Sequence, residues 1–533
     1  MKPWLTFFAA GLLLGTVLTP TSRGGETASM IPRRGGVLHL ASPSDIRSLD
    51  PAIAFDSFSI PLVRLLFRGL LGYDDATGLV VDQAKDWNIS ADGRTYTFHL
   101  RPDIRFAHGR VVEAADYVFA FERILSPQTG SPGQTYFLDI LGAQEFVDGK
   151  APHVTGLRAP DKSTLVIELK EPTFTFRYVL AMVFASPVPR EVVQQYGTDF
   201  QYHLIGSGPY QLAEWRRGIS CRLQRNPYYP GPDGFVDGVE IMIGCDDTVM
   251  TMMLERGELD QVPMASPAQA TQFKRDPRLR SWLTRVDSPE TDYLFMNTEM
   301  KPFDDVRVRR AVNYAIDRGR LLKLAGGFGT EAYGVVPPSI PWSNPGRPRY
   351  EFDPEKARTL LREAGYPDGF KTEMWCLADA PIYMRLAEGV QQDLRQVGIQ
   401  AELRPANFTA FDAKVTTRHQ APCGIWGWFQ DYPDPSDFLD VLLNGERITD
   451  TECNNESFYN SPEVDRFLDA AARSLDPDDR TRMFRQAENL VMQDAPWALL
   501  IHEQTLALYH PRVHGTDPHP VWLWRYERMW LDP

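Results

Sequence analysis

Strand patterns and helix patterns are mixed along the whole chain, and no linker divides it. The segments RTYTFHL (94–100) and STLVIEL (163–169) carry apolar residues at every second position, which predicts half-buried strands. Since 533 residues exceed what one compact core holds, we expect roughly two to four domains. Without a linker between them, these domains are expected to be interleaved, with the chain crossing between them more than once.

Helix patterns dominate the second half of the chain. In PEKARTLLREAGY (354–366), Gly365 stands where a helix C-cap belongs. In SPEVDRFLDAAARSL (461–475), Ser461 suits an N-cap and Pro462 the first helical position. The segment 306–318 has apolar residues at helical spacing: Val308, Ala311, Val312, Ala315 and Ile316.

The charge balance argues against one class of partner. The chain has 56 Lys and Arg against 70 Asp and Glu, a net charge of −14, and no stretch forms a basic stripe. Because an acidic surface repels phosphate backbones, nucleic acid is not an expected partner. With 43% apolar and 24% charged residues, the composition is that of a soluble globular protein.

The first residues, MKPWLTFFAAGLLLGTVLTP, have the layout of a secretory signal peptide. Lys2 precedes an apolar run from Trp4 to Leu18, which is shorter than the roughly 20 residues that a membrane-spanning helix needs. We therefore predict a signal peptide over residues 1–29, with an uncleaved anchor as the alternative. No later run is apolar enough to span a bilayer, so the mature chain is expected to be exported and soluble.

The five cysteines form no CxxC pair, so a zinc site or redox motif is not predicted. Because the first of them is Cys221, no N-terminal cysteine is available for a lipid anchor. In an oxidising compartment Cys221–Cys245 and Cys423–Cys453 are candidate bridges, with Cys376 left over. Buried free thiols are the alternative, and the sequence does not decide between the two.

A search for catalytic motifs finds none. IGSGPY (205–210) resembles a nucleophile elbow, but the position two residues before Ser207 is Ile205 rather than Gly. The glycine-rich GGFGTEAYG (326–334) lacks the GxGxxG spacing, and the ten histidines form no metal-binding cluster. The acid pairs Asp246–Asp247 and Asp304–Asp305 fit helix N-caps. We therefore predict neither an enzyme nor a bound metal or cofactor.

The segment GWFQDYPDPSDF (427–438) sets an acid between aromatic residues directly after an apolar stretch. Asp431 is costly there unless its carboxylate faces water or a cation. A solvated turn is one interpretation, since Asp and Pro are common in turns. The other is a carboxylate that binds a cation beside an aromatic wall.

Six segments together resemble the family 5 extracellular solute-binding proteins of ABC importers, whose members include oligopeptide- and dipeptide-binding proteins. They occur in the family's order over almost the whole chain: SLDPAIAFDSFSIPLVRLLFRGLLGYD, TYTFHLRPDIRFAHGRVVEAADYVFAFERILSP, SGPYQLAEWRRGISCRLQRNPYYP, FMNTEMKPFDDVRVRRAVNYAIDR, ARTLLREAGYP and GWFQDYPDPSDFL.

The resemblance implies an α/β fold of two lobes that close on a ligand, the type II periplasmic-binding-protein (Venus-flytrap) fold, with an extra domain inserted in lobe I. By analogy, lobe I consists of residues 36–67, 190–289 and 505–533, the inserted domain of residues 68–189, and lobe II of residues 290–504.

The resemblance also implies a binding site. In oligopeptide-binding members the Asp of a Gly-Trp-x-x-Asp-Tyr segment pairs with the α-ammonium of the peptide, and the matching residue here is Asp431. Trp428 and Phe429 would then wall a side-chain pocket, and the Gly427 backbone could bond the main chain of the ligand. From lobe I, the ligand-facing loop contains Phe55, Ser57 and Phe58, for which core packing is the alternative.

Three positions depart from the family pattern. Where members that fix a carboxyl terminus have an Arg, two residues before Gly-Trp, this chain has Ile425. The Arg-Pro-Tyr segment of dipeptide-binding members is replaced by DAPIYMR (379–385), and Arg68 stands where an acid is common. The usual partners of a ligand carboxylate are therefore missing, which leaves longer peptides or a non-peptide amine open.

These features together predict the substrate-binding component of an ABC importer. It would capture peptides as a monomer and deliver them to membrane permease subunits. A periplasmic location is expected, because a binding protein without an anchor must be retained by an outer membrane. The alternatives are the same fold binding a sugar, an opine or a metal complex, and, from another class, a secreted hydrolase.

Overall fold

The computed structural model of the protein describes residues 31–532. The predicted signal peptide lies outside these residues. No helix in the described part of the chain is long and apolar enough to cross a membrane.

A five-stranded mixed sheet forms the centre of the second lobe. Its two central antiparallel strands pair from Glu290 with Phe429 to Met296 with Cys423. The neighbouring parallel strand, Lys371–Leu377, pairs with Cys423–Phe429 only between Trp375 and Gly424. In spatial order, the strands are Gln400–Ala406, Lys371–Leu377, Cys423–Phe429, Glu290–Met296 and Trp497–Leu499.

Each face of this sheet is covered by four helices. Because side chains alternate across a strand, Tyr293 and Phe295 enter one core, whereas Leu294 and Met296 enter the other. The first core is covered by Phe408–Val415, Ser436–Leu443, Pro462–Arg473 and Pro477–Asp494. The second is covered by Val306–Ala315, Arg318–Leu324, Pro354–Glu363 and Pro381–Gln396.

The first lobe contains two sheets from distant parts of the chain. One has the strands Val37–Ser42, Gly238–Ile243, Ser220–Arg225 and Tyr210–Arg216. The other has Gln261–Val262, Ile501–Tyr509 and Leu283–Asp287, with Gly329–Glu331 also pairing with Ile501–Tyr509. Two ribbons complete the lobe, Leu71–Tyr73 with Leu79–Val81 and Val513–His514 with Trp530–Leu531. Its helices are Ser59–Leu66, Arg190–Tyr196, Asp247–Glu255 and Pro267–Arg275.

A separate four-stranded sheet lies in the region predicted to be an inserted domain. Its strands are Ala84–Ile89, Thr95–Leu100, Thr164–Glu168 and Leu157–Arg158. The nearby helices are Ala114–Leu125, Gln134–Phe137, Ala143–Val147 and Phe176–Val179. One continuous apolar core joins this region to the first lobe, through residues such as Phe98, Phe121 and Val239.

The chain passes between the lobes at residues 288–292 and at residues 500–503, and these two crossings lie side by side. The Ser288 amide donates to the Glu503 carbonyl at 2.9 Å, and the Leu500 amide donates to the Asp292 carbonyl at 2.9 Å. The second crossing continues into Ile501–Tyr509, which pairs with Leu283–Asp287 of the first lobe. The boundaries proposed between lobes and inserted domain stay predictions.

Several local predictions are confirmed. The two segments with alternating apolar residues form Thr95–Leu100 and Thr164–Glu168, which pair with each other. The helix Pro354–Glu363 ends where expected, and Gly365 has a φ of +92°, a conformation that glycine adopts without strain. Ser461 is the N-cap of Pro462–Arg473, with Pro462 at its start.

The acid pairs act at helix starts, as predicted. The Asp246 side chain accepts a hydrogen bond from the Thr248 amide at the start of Asp247–Glu255. Asp305 does the same for the Arg307 amide at the start of Val306–Ala315. These carboxylates are therefore used within the fold.

Neither candidate disulfide is formed, and all five cysteines are buried free thiols. Cys221 pairs in register with Ile241 and packs in the large core of the first lobe, whereas Cys245 lies beyond that strand in a different core. Cys423 pairs with Met296 inside the second-lobe sheet. Cys453 lies in a loop, where its own amide donates a hydrogen bond to the Thr416 carbonyl. The suggestion of two bridges is thus corrected, because each pair is separated by packed structure.

Arg68, the departure from the family pattern, has a structural role. Its guanidinium lies 2.6 Å from Asp82 and 3.8 Å from both Asp233 and Glu527. Arg64 reaches the same Glu527 at 2.9 Å. The buried Arg64 and the half-buried Arg68 thus tie this part of the chain to the C-terminal segment.

We expect Arg480→Met to destabilise the second lobe. Arg480 is buried, donates two hydrogen bonds to Asp434 at 2.8 and 2.9 Å, and packs against Phe174 and Phe484. Removing its charge leaves Asp434 buried without a cation, which costs about 3–5 kcal/mol. The free energy of unfolding from urea titration measures this loss.

Arg482→Met is the matched control, because Arg482 lies two residues further along the same helix and makes an exposed pair with Asp479. It should change the stability by no more than about 1 kcal/mol. Equal losses in the two variants would contradict a special role for the buried pair.

Candidate ligand-binding site

A cavity of about 840 Å³ lies between the two lobes. The first lobe and the inserted region line it with loops that include Phe55, Phe184 and Trp522. The second lobe contributes the ends of its central strands and the start of Pro381–Gln396. The cavity is therefore bordered by both lobes and by the inserted region.

The central strand pair delivers Asp431 to this cavity. Cys423–Phe429 ends two residues before Asp431, and the Gln430 amide is still bonded to the Pro289 carbonyl at 2.8 Å. The Asp437 carboxylate then accepts from the Asp431 amide at 2.9 Å and from Trp428 Nε1 at 3.2 Å. These bonds fix the turn, so that Asp431 and Trp428 both line the cavity.

The Asp431 carboxyl is half-buried in the cavity wall beside a second acid, Asp437. Tyr136 of the inserted region donates its hydroxyl to Asp431 Oδ2 at 2.5 Å. Burial raises the pKa of Asp431 to about 6, and burial together with the Asp431 charge raises the pKa of Asp437 well above its usual range. Within residues 31–532, no basic side chain forms an ion pair with either acid.

An aromatic cluster lies above Asp431 on the first-lobe side. The Phe55 ring lies 5.7 Å from Phe184 and 6.5 Å from Tyr136, measured between ring centroids. Phe55 and Ser57 line the cavity, as the loop prediction anticipates. Phe58 does not line it, because it is half-buried as the residue that precedes the helix Ser59–Leu66.

Phe429 and Gly427 lie on the second-lobe side. Phe429 lines the cavity and leaves 37% of its surface exposed. Gly427 itself is not on the lining, but its strand has an unusual edge. The neighbouring strand Lys371–Leu377 pairs only at Gly424, so in the described structure residues 425–429 have a strand on one side only. That free edge is suited to an extended ligand.

A second group of acids lies at the lobe crossings. Glu290 and Glu503 line the cavity, and Asp292 lies behind them, next to Glu290 on the same face of its strand. Tyr383 donates its hydroxyl to Glu290 Oε1 at 2.9 Å. The basic side chain on the cavity lining is Arg385, which makes no ion pair or hydrogen bond to any residue between 31 and 532.

Sequence reasoning missed Tyr136, Asp437 and the second group of acids. Tyr136 has no local signal, because its partner lies 295 residues away. A signal did exist for Glu290 and Asp292. Two acids alternate on one face at the start of ETDYLFM, a segment that is otherwise apolar and therefore belongs in a core.

The described residues contain no group of three or more His, Cys, Asp or Glu side chains arranged to hold a metal ion.

Two lobes around a central cavity, with a further domain inserted in the first, define a type II periplasmic-binding-protein fold, as comparison with solved structures shows. The chain belongs to the bacterial extracellular solute-binding proteins, family 5, whose middle region matches residues 78–450. It is therefore a substrate-binding protein of the ABC-importer type.

Relatives of known name agree with this class. The glutathione-binding protein GsiB of Escherichia coli strain K12 is 30% identical over 482 residues, which cover 89% of this chain and 91% of GsiB. The clavulanic acid biosynthesis oligopeptide-binding protein 2 has a similar structure, with a TM-score of 0.87, 28% identity, and coverage of 94% of this chain and 96% of that protein. The periplasmic binding protein DppA from Helicobacter pylori, in complex with the peptide STSA, has a TM-score of 0.79, 25% identity, and coverage of 94% and 99%.

Proposed function

We propose that this protein captures peptides with a free N-terminus and delivers them to the permease subunits of an ABC importer. The observation that carries the proposal is Asp431, a half-buried carboxyl on the cavity wall for which the described chain supplies no cation. A peptide α-ammonium supplies that missing charge. The resulting hydrogen bonds are charge-assisted and poorly screened between closed lobes.

The rest of the cavity suits a peptide main chain and its side chains. Residues 425–429 offer a strand edge to which an extended ligand can add, with Gly427 in its middle. Trp428 and Phe429 on one side, with Phe55 on the other, provide apolar walls for side chains. Ser57 adds a hydroxyl to the same lining.

Closure rather than chemistry is the proposed mechanism. The ligand contacts both lobes, so it binds the closed form more tightly and shifts the population towards that form. The closed monomer would then dock on its permease. Export by the signal peptide, residues 1–29, to a periplasm completes the proposal.

The charge of the cavity lining bears on whether this protein binds glutathione. Glutathione carries two carboxylates for one ammonium, whereas the acids on this cavity lining outnumber its one arginine, Arg385. The lining acids are Asp56, Asp247, Glu290, Asp431 and Glu503. We therefore expect glutathione to bind more weakly than a neutral tripeptide with a free amine.

Native mass spectrometry of the purified protein tests the ligand class directly. Ligand released by denaturation should give a set of short peptides, because the proposed contacts are mainly to the N-terminus and main chain. A single non-peptide mass would contradict the proposal and move the assignment to a sugar, an opine or a metal complex.

We expect Asp431→Asn to weaken binding of peptides with a free N-terminus by about 30-fold or more, since a buried charge pair loses one partner. N-acetylated peptides have no ammonium to lose, so the affinity ratio between free and acetylated peptides should fall towards one. Isothermal titration calorimetry measures both affinities.

Asp450→Asn serves as control, because Asp450 is an exposed acid whose partner is Arg418. Asp450→Asn should leave the affinity ratio between free and acetylated peptides as it is in the unaltered protein. A loss of affinity in Asp431→Asn that is equal for free and acetylated peptides would rule out the amine role.

Binding of free-amine peptides should depend on pH. The Asp431 carboxyl, with a pKa raised to about 6, is mostly ionised at pH 7 and mostly protonated at pH 5, while the peptide amine stays charged throughout. Affinity should therefore fall roughly ten-fold between pH 7 and pH 5. Burial and the Asp431 charge raise the pKa of Asp437 well above its usual range, and burial raises the pKa of Tyr136 well above its usual value.

Asp431→Asn should flatten this part of the profile. A profile that is equally steep in the variant would assign the titration to another group and contradict the prediction.

A further inference from the structure

Three carboxyl groups converge at the end of the cavity where the chain crosses between the lobes. Glu290 and Asp292 share one face of their strand, opposite Phe429 and Gly427. Glu503 is brought beside them by the backbone bonds between the two crossings, Ser288 to Glu503 and Leu500 to Asp292. We call Glu290, Asp292 and Glu503 the crossing acids.

Asp292 is the least satisfied of these groups. It is 0% exposed, and neither of its carboxyl oxygens receives a hydrogen bond from any described residue. A buried carboxyl that accepts no hydrogen bond destabilises the fold, so such a group in a native protein calls for an explanation, such as a bound partner that supplies the donor.

Glu290 and Asp292 point towards one small space. A Cβ atom placed on Gly427 would lie 2.5 Å from Asp292 Oδ1, 3.0 Å from Glu290 Oε1 and 2.4 Å from the Tyr383 hydroxyl. Any side chain at position 427 would fill the point at which these groups meet. Glycine keeps the two carboxyls and the phenol within reach of one another.

The pKa values of the crossing acids are raised, as expected for buried carboxyl groups that have no counter-ion beside them. Burial raises the pKa of Glu290 to about 7 and that of Asp292 well above its usual range, and the charge of Glu503 adds to both shifts. Burial also raises the pKa of Glu503, which Arg385 partly opposes. One arginine at the cavity mouth therefore faces three acids.

A metal ion is a poor match for this group, because the described residues contain no metal-binding arrangement of carboxylates. Tyr383 also occupies the Glu290 oxygen with its hydroxyl. An extended side chain that ends in an ammonium or guanidinium can reach past Phe429 and leave these bonds in place.

We propose that the crossing acids form a subsite for a basic side chain, lysine or arginine, near the N-terminus of a peptide ligand. This inference rests on the proposed function, since it requires a peptide whose amine lies at Asp431. Glu290 is opposite Phe429, two residues before Asp431, a separation of about 6–7 Å along a strand. An extended lysine side chain spans that distance.

The test compares matched tripeptides by calorimetry at pH 7 and low ionic strength. One set has Ala-Ala-Ala with a single lysine at each position in turn, and the other has norleucine, which keeps the length of the lysine stem but lacks its charge. The lysine peptide of the best position should bind at least ten-fold more tightly than its norleucine counterpart. It should also release more protons, measured in two buffers of different ionisation enthalpy, because the cation favours the ionised crossing acids.

Glu290→Gln and Glu503→Gln should each lower the lysine-to-norleucine affinity ratio, whereas the exposed control Glu355→Gln should keep it. Circular dichroism establishes that each variant is folded.

A ratio near one in the unaltered protein, with both peptides bound, would overturn the subsite and leave the proposed function intact. Failure of every tripeptide, and of longer peptides with a free N-terminus, to bind would overturn the proposed function, and the subsite with it. Binding of Ca²⁺ or Mg²⁺ alone that is lost in Glu290→Gln would show a metal site instead.

Discussion

The antiparallel ladder between Glu290–Met296 and Cys423–Phe429 is the constraint on which the site depends. Its register places Glu290 opposite Phe429 and Asp292 opposite Gly427, and the same ladder ends just before Asp431. A slip of one residue would turn every one of these side chains to the other face. Two large cores hold the register, since alternate residues of both strands are buried on opposite sides of the sheet.

Acids that have no counter-ion lower the stability of this part of the protein. Interior carboxylates usually have a cation, as Asp434 has in Arg480 and Glu527 has in Arg64. Asp431, Asp437 and Asp292 have none among the described residues, and burial raises the pKa of each. Asp434 and Glu527 thus serve the fold with a cation beside them, whereas Asp431 and Asp292 are carboxyls that we propose to bind a ligand.

Local sequence signals identified the parts of this structure that depend on neighbouring residues. Alternation placed Thr95–Leu100 and Thr164–Glu168, and capping residues placed the start of Pro462–Arg473 and the end of Pro354–Glu363. The motif around Asp431 placed that residue on the cavity wall. Tyr136 and Glu503 could not be found in this way, because their positions depend on contacts between segments far apart in the chain. The two disulfides were suggested from spacing alone, and spacing does not show which core a cysteine enters.

The arginine network of the first lobe bears on the order in which the chain can fold. Arg64 and Glu527 are joined by a hydrogen bond although 463 residues separate them, and Arg68 shares the same carboxylate. Strand Val37–Ser42 likewise pairs with Gly238–Ile243 rather than with a sequence neighbour. Contacts of such long range form slowly, because a long loop must close first. The buried Arg64 can acquire its counter-charge only after residue 527 has been synthesised, so the first lobe reaches its final packing after translation of nearly the whole chain.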